Sequence, residues 1–283
     1  MNELYDPAGD TWTVVDPPGG PDRTYHTATL LPSGKVLALG GDVTEVFDPA
    51  TATWSPTAES GIVRAYHTTT LLPDGKVLLV GGRDSAARTT AAVEIYDPQA
   101  VPDPAKPEVK GAWSAARSLA VARYGHTATL LPSGKVLVVG GSYEYGTRLT
   151  SAELFDPASG SWQSAAEMST GRGGSVPAGG GTGSNAGRPR GGSSFTSTLL
   201  KDGSVLVAGG SDAAVTDGVT LGLGSAELYG SVSPQKLAAA RSSDDPPWLA
   251  VAGGTGVVAG VALLVVWRRW RHRRQVGSGG LNP

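Results

Sequence analysis

One sixteen-residue phrase recurs along this 283-residue chain. HTATLLPSGKVLALGG (His26 to Gly41), HTTTLLPDGKVLLVGG (His67 to Gly82) and HTATLLPSGKVLVVGG (His126 to Gly141) are near copies, and FTSTLLKDGSVLVAGG (Phe195 to Gly210) is a worn fourth. A second phrase alternates with it: Glu, an apolar residue, an aromatic, Asp-Pro, then Trp. It runs from Glu3 to Trp12, Glu45 to Trp54, Glu94 to Trp113 and Glu153 to Trp162, and it decays at Glu227, Leu228, Tyr229. A unit this short cannot bury its own apolar residues, so it must stack on copies of itself.

Within a unit, Thr/Ala alternation ending in Leu-Leu predicts a short strand. Pro-Ser-Gly-Lys or Pro-Asp-Gly-Lys predicts a tight turn whose Gly takes positive φ. The apolar run Val-Leu-Ala-Leu or Val-Leu-Val-Val then reads as a strand buried on both faces. A third strand carries the Glu and the aromatic, Asp-Pro turns the chain, and the Trp strand comes last. Four antiparallel strands in this order make a propeller blade.

The double Gly after the second strand, the aromatic of the third and the Trp of the fourth together resemble the kelch repeat, over roughly residues 2 to 229. The resemblance implies an all-β kelch-type propeller, with blades at about 23–58, 64–117, 123–166 and 192–230, an N-terminal half-blade at 1–15 and a Gly-rich loop at 171–194. A strand at Thr11 to Val15 that completed the last blade would close a four-bladed ring and leave Glu3 to Tyr5 surplus. The other expectation is a fragment of a larger ring, because an open arc leaves blade faces wet. Several hundred Å² of apolar surface is worth roughly 10 kcal/mol.

Unit spacing, measured at Leu30, Leu71, Leu130 and Leu199, grows from 41 to 59 to 69 residues. The first turn keeps one length throughout. Between Gly-Gly and the Glu of the third strand lie 3, 11, 11 and 16 residues, and the connection from Trp162 to Phe195 is swollen. Variation thus gathers on one face of the disc, where loops are free to carry binding. The Pro-rich stretch 99–112 lengthens the opposite face.

After a linker at 236–247, Trp248 to Trp267 is twenty residues without a charge, enough to span a ~30 Å hydrocarbon layer. Trp248 and Trp267 suit the interfacial belt. Arg268, Arg269, Arg271, Arg273 and Arg274 follow, so the tail at 268–283 is expected to be cytoplasmic and the propeller outside a cell membrane. Ala252, Gly256 and Gly260 share one helix face, which permits a homodimer through the helix. Without the five tail arginines, residues 1–267 carry 18 basic against 25 acidic side chains, which argues against nucleic acid as a ligand. With no Cys, disulfides and thiol chemistry are excluded.

The one constellation with chemical potential is a ring at the start of the inner strands: Arg23, Tyr25 and His26; Arg64, Tyr66 and His67; Arg123, Tyr124 and His126. These are the candidate ligand-binding residues, with His26, His67 and His126 as metal candidates. The doublets Tyr25-His26 and Tyr66-His67 resemble a copper-ligand pair of the galactose and glyoxal oxidases, which are kelch-type propellers. That likeness implies copper only in part, because those oxidases also need a Tyr cross-linked to Cys. On the other reading Arg-x-Tyr-His is repeat consensus, with each His satisfying backbone groups between blades and no cofactor bound. No catalytic residue is assigned. The expected function is a membrane-anchored, extracytoplasmic propeller that binds a protein or glycan through its variable-loop face; the alternative is a relative of the copper-radical oxidases with an incomplete site.

Overall fold

The computed structural model describes residues 2–15, 25–40, 43–101, 111–173, 195–216 and 219–230. The expected linker, membrane span and basic tail, together with Arg23 and most of the Gly-rich loop, lie outside the described residues. Among the described residues no helix is long and apolar enough to cross a membrane.

The fold is all-β, a four-blade propeller arrangement. A hairpin comes first, β1 (Asn2–Asp6) with β2 (Thr11–Val15). Blade one is β3 (Thr27–Leu30), β4 (Val36–Gly40), β5 (Val43–Asp48) and β6 (Thr53–Pro56), in sequential antiparallel order. The two-residue strand β7 (Arg64–Ala65) precedes blade two, which is β8 (Thr68–Leu71), β9 (Val77–Val80), β11 (Val93–Asp97) and β12 (Ala112–Ala116). Between β9 and β11, β10 (Arg83–Asp84) pairs back with β7. Blade three is β13 (Thr127–Leu130), β14 (Val136–Val139), β15 (Ala152–Asp156) and β16 (Ser161–Ala165). Blade four has β17 (Phe195–Leu199), β18 (Val205–Gly209) and β21 (Ala226–Tyr229). An inserted hairpin, β19 (Ser211–Thr216) with β20 (Val219–Gly222), fills its longest loop.

Two expectations need correction. Blade four has three strands rather than four among the described residues, which end one residue after β21. Nor does β2 complete that blade: it pairs with β1, Trp12 opposite Tyr5, so the surplus strand and the presumed closing strand hold each other.

The predicted turns form as expected. Gly34, Gly75, Gly134 and Gly203 all have φ near +80°, each at the reversal between the first and second strands of a blade. Lys35, Lys76 and Lys135 from these turns reach Asp48, Asp97 and Asp156 of the Asp-Pro turns at 2.9, 3.4 and 3.1 Å. The two kinds of turn therefore share one rim of the disc, and the variable loops have the other.

The second strands are buried on both faces because a blade stands on either side. Leu31 and Leu37 meet Val77 and Tyr96 between blades one and two. Leu78, Val80 and Val93 meet Val136, Val138 and Phe155 between two and three. Leu137, Val139 and Ala152 meet Phe195, Val205 and Val207 between three and four. The inner strands touch in the order β3, β8, β13, β17, and β3 and β17 make no comparable contact with each other.

The double glycines are where consecutive blades come closest. A Cβ on Gly82 would lie 2.7 Å from the Ala65 carbonyl, and one on Gly81 2.5 Å from the Arg123 carbonyl of the next blade. The Gly82 N–H donates to that Arg123 oxygen at 2.8 Å, and Gly141 repeats the bond to Arg172 at 2.7 Å. No other side chain fits this approach.

Candidate functional site

The arginines of the predicted ring point into the protein. Arg64 and Arg123 are fully buried, each beside the Glu of its own third strand. Arg123 donates from Nη1 to the carbonyls of Gly140 and Ser151 at 2.9 and 3.0 Å, and from Nη2 to Glu153 Oε1 at 2.8 Å. Glu153 in turn accepts the Ala120 and Val121 amides at 2.8 and 3.2 Å, tying down the segment that leads into its own blade. Arg64 repeats the arrangement with the carbonyls of Gly81 and Ala92 and with Glu94, which accepts from the Gly61 amide. A guanidinium that meets a carboxylate through one N–H and satisfies backbone carbonyls with others is how a buried charge survives. Burial lowers the pKa of Arg64 and Arg123, and the adjacent carboxylate works against that shift.

The structure adds a residue the sequence reading passed over. Arg172, buried like the others, donates to the Gly209 and Ser225 carbonyls at 2.7 and 2.9 Å and pairs with Glu227 at 3.1 Å. It is the fourth blade's counterpart of Arg64 and Arg123. The long insertion that separates it from Phe195 hid the correspondence, although the decayed Glu227 signalled that a partner was needed.

His67 and His126 lie between blades. His67 Nε2 pairs with Thr27 Oγ1 at 3.0 Å, and His126 Nε2 with Thr68 Oγ1 at 2.8 Å. The Nε2 partner is a hydroxyl of the preceding inner strand, and His67 also meets the backbone at Arg64 and Leu39, as the repeat-consensus reading expects. Burial, reinforced by the neighbouring arginine, pushes the pKa of His67 down to about 4 and that of His126 to about 3, so both are neutral at pH 7. Phe195 holds the same position in blade four. His26 is exposed, since no inner strand precedes β3 among the described residues.

At the surface of this ring lie Tyr25 and His26, with Tyr66 half-buried and Tyr124 buried. Tyr25 and Tyr66 adopt positive φ, 54° and 58°, at the position that Gly125 fills in blade three with φ 58°. Left-handed backbone is uncommon for a bulky side chain. It turns both rings toward each other, with centroids 4.1 Å apart, and Tyr124 follows Tyr66 at 6.2 Å. The Arg83 guanidinium stands 5.0 Å over the Tyr124 ring, held by the Ala87 carbonyl. Burial, then a hydrogen bond with Tyr25, raises the Tyr66 pKa. Tyr25 itself is 51% exposed. The residues named from sequence thus separate into buried Arg64, Arg123, His67, His126 and Tyr124 below and Tyr25, His26 and the half-buried Tyr66 above, with Arg23 outside the described residues.

Among the described residues no group of three or more His, Asp or Glu side chains is placed to hold a metal ion. Of the two imidazoles that the oxidase resemblance would give to copper, His67 pairs its Nε2 with Thr27 of the preceding blade.

A Kelch motif family model matches residues 122–169, which is blade three with the segment leading into it. The solved structure of YjhT is similar to this chain at 17% identity and a TM-score of 0.56, over 81% of this chain and 72% of that one. At such identity the likeness carries the fold alone. Among curated proteins none matches the chain.

Proposed function

We propose that this chain is a binding module: a kelch propeller, anchored outside the membrane by 248–267, that takes a glycan on its variable-loop face. The observation that carries this reading is the stepped tyrosine row. Tyr25, which is exposed, and the half-buried Tyr66 present the aromatic surface, while Tyr124 lies buried under the Arg83 guanidinium at the inner end of the row; a sugar ring stacks its C–H face on such a surface while its hydroxyls use nearby polar groups. Holding two tyrosines in left-handed backbone costs of order 1 kcal/mol each. Glycine serves in the third unit, so the repeat itself does not require a ring there. The membrane anchor rests on the uncharged span and the arginines after it.

The test is a glycan array probed with the detergent-solubilised full chain, then titration of the hits. Tyr25→Ala should leave thermal stability unchanged and weaken binding at least tenfold. Binding that is indifferent to Tyr25, or hits that are proteins alone, would redirect the reading to a protein ligand or to another surface.

A further inference from the structure

Among the described residues blade four has three strands, and its neighbours display a fourth. Each complete blade lays a Trp from its fourth strand against the aromatic of its third: Trp54 on Phe47, Trp113 on Tyr96, Trp162 on Phe155, with ring centroids 4.9 to 5.0 Å apart. The indole N–H then donates across to the preceding blade. Trp113 uses the carbonyl of Ala58 at 3.0 Å and Trp162 that of Arg117 at 2.7 Å, in each case the residue four beyond the preceding blade's own Trp. The next acceptor in this series is Ala166, four beyond Trp162.

Ala166 lines a cleft of about 600 Å³ between blades three and four. Tyr229, the third-strand aromatic of blade four, lines it as well, together with Met168 and Val207. The cleft therefore holds a third-strand aromatic and a candidate carbonyl, and it borders the edge of β21 that pairs with no strand among the described residues. An extended segment with a Trp opposite Tyr229 has the matching chemistry.

The chain carries one such segment to spare. The strand β2, Thr-Trp-Thr-Val-Val, has the pattern of the fourth strands, yet it sits in an isolated two-stranded hairpin, with Trp12 65% and Val14 61% exposed. A lone hairpin is marginally stable in water. Since β3 and β17 lack the contact that joins the other neighbouring inner strands, the first and last units of a single copy are poorly placed to complete each other. We infer that β2 leaves β1 and completes blade four of a second copy, with Trp12 in the cleft beside Tyr229, so that copies join by strand exchange. The strand uses on β21 the same edge it uses on β1, which keeps Trp12 facing the aromatic.

The pairing Leu154↔Gln163 in blade three sets the implied register, Leu228 opposite Thr13. The chain contains no cysteine, so two full-length single variants, Thr13→Cys and Leu228→Cys, can be mixed in detergent under mild oxidation. The expected product is a covalent heterodimer, formed at least tenfold more than either homodimer and reduced at least tenfold when Trp12→Ala is added to the Thr13→Cys chain. Val15→Cys with Ala226→Cys reads the same register two residues along, should Leu228→Cys not fold. No cross-link from either pair overturns the inference. So does an intrachain link in the doubly substituted chain with none between chains, which would mean that each copy completes itself, and so does cross-linking that ignores Trp12.

Discussion

At the scale of single residues, the repeat distributes its polar side chains between structure and surface by depth. His67 and His126 have depressed pKa values in the folded chain, so their neutral forms stabilise it fully above the unfolded value of ~6.5. That contribution is lost as pH falls toward about 4 for His67 and about 3 for His126. It amounts to a few kcal/mol for each imidazole, to order of magnitude. The replacement His126→Phe copies the residue at 195 and should flatten the decline in denaturation midpoint between pH 6.5 and 4; a curve as steep as the parent's would show that His126 does not drive it. Arg172→Ala leaves Glu227 buried beside uncompensated carbonyls, at a cost of about 3–5 kcal/mol. Thermal unfolding should report a midpoint lower by roughly 10 °C, and Arg64→Ala and Arg123→Ala should match it. The arginines at 64 and 123 were legible from sequence as repeat positions, but their direction was not. Side-chain orientation at a strand's approach depends on which neighbour is close, and the Glu that draws each guanidinium inward stands 30 residues away in Glu94 and Glu153 and 55 in Glu227.

At the scale of elements, the turns and the double glycines show how the same residue type answers two different demands. Gly34 has φ +81° with nothing within 4 Å of a notional Cβ, whereas Gly141 has φ +90° and its Cβ would stand 2.8 Å from the Tyr124 carbonyl and 2.9 Å from His126 Cβ. Gly34→Ala should therefore cost only the backbone strain, about 1 kcal/mol. Gly141→Ala must also push two inner-strand segments apart, and its denaturation midpoint should fall at least twice as far. Equal losses would mean that the close approach yields easily. The strands, their order and the first turns were readable because they follow from local alternation and turn chemistry. The hairpin β19–β20 and the short pairing of β7 with β10 were not, since both lie in segments without repeat pattern, and pairing there is settled by what the propeller face leaves open.

At the scale of the whole molecule, the interfaces between blades hold the fold together, and among the described residues β2 and the outer edge of β21 have no blade partner. Proteolysis of right-side-out and inverted membrane vesicles tests the proposed orientation: the propeller should be cut in the first and the arginine-rich tail in the second, and the reverse pattern would exclude an extracytoplasmic binding face. The repeated phrase by itself determined that the chain builds antiparallel blades, which rim carries the constant turns and which carries the variable loops, because strand period, Gly at positive φ and Asp-Pro turns act within a few residues. Only the tertiary structure decided that Arg64, Arg123, His67 and His126 serve the joints between blades while Tyr25 faces outward, and that β2 sits with β1 rather than in blade four. Those outcomes depend on contacts between residues tens of positions apart, where distance along the chain no longer says which groups meet.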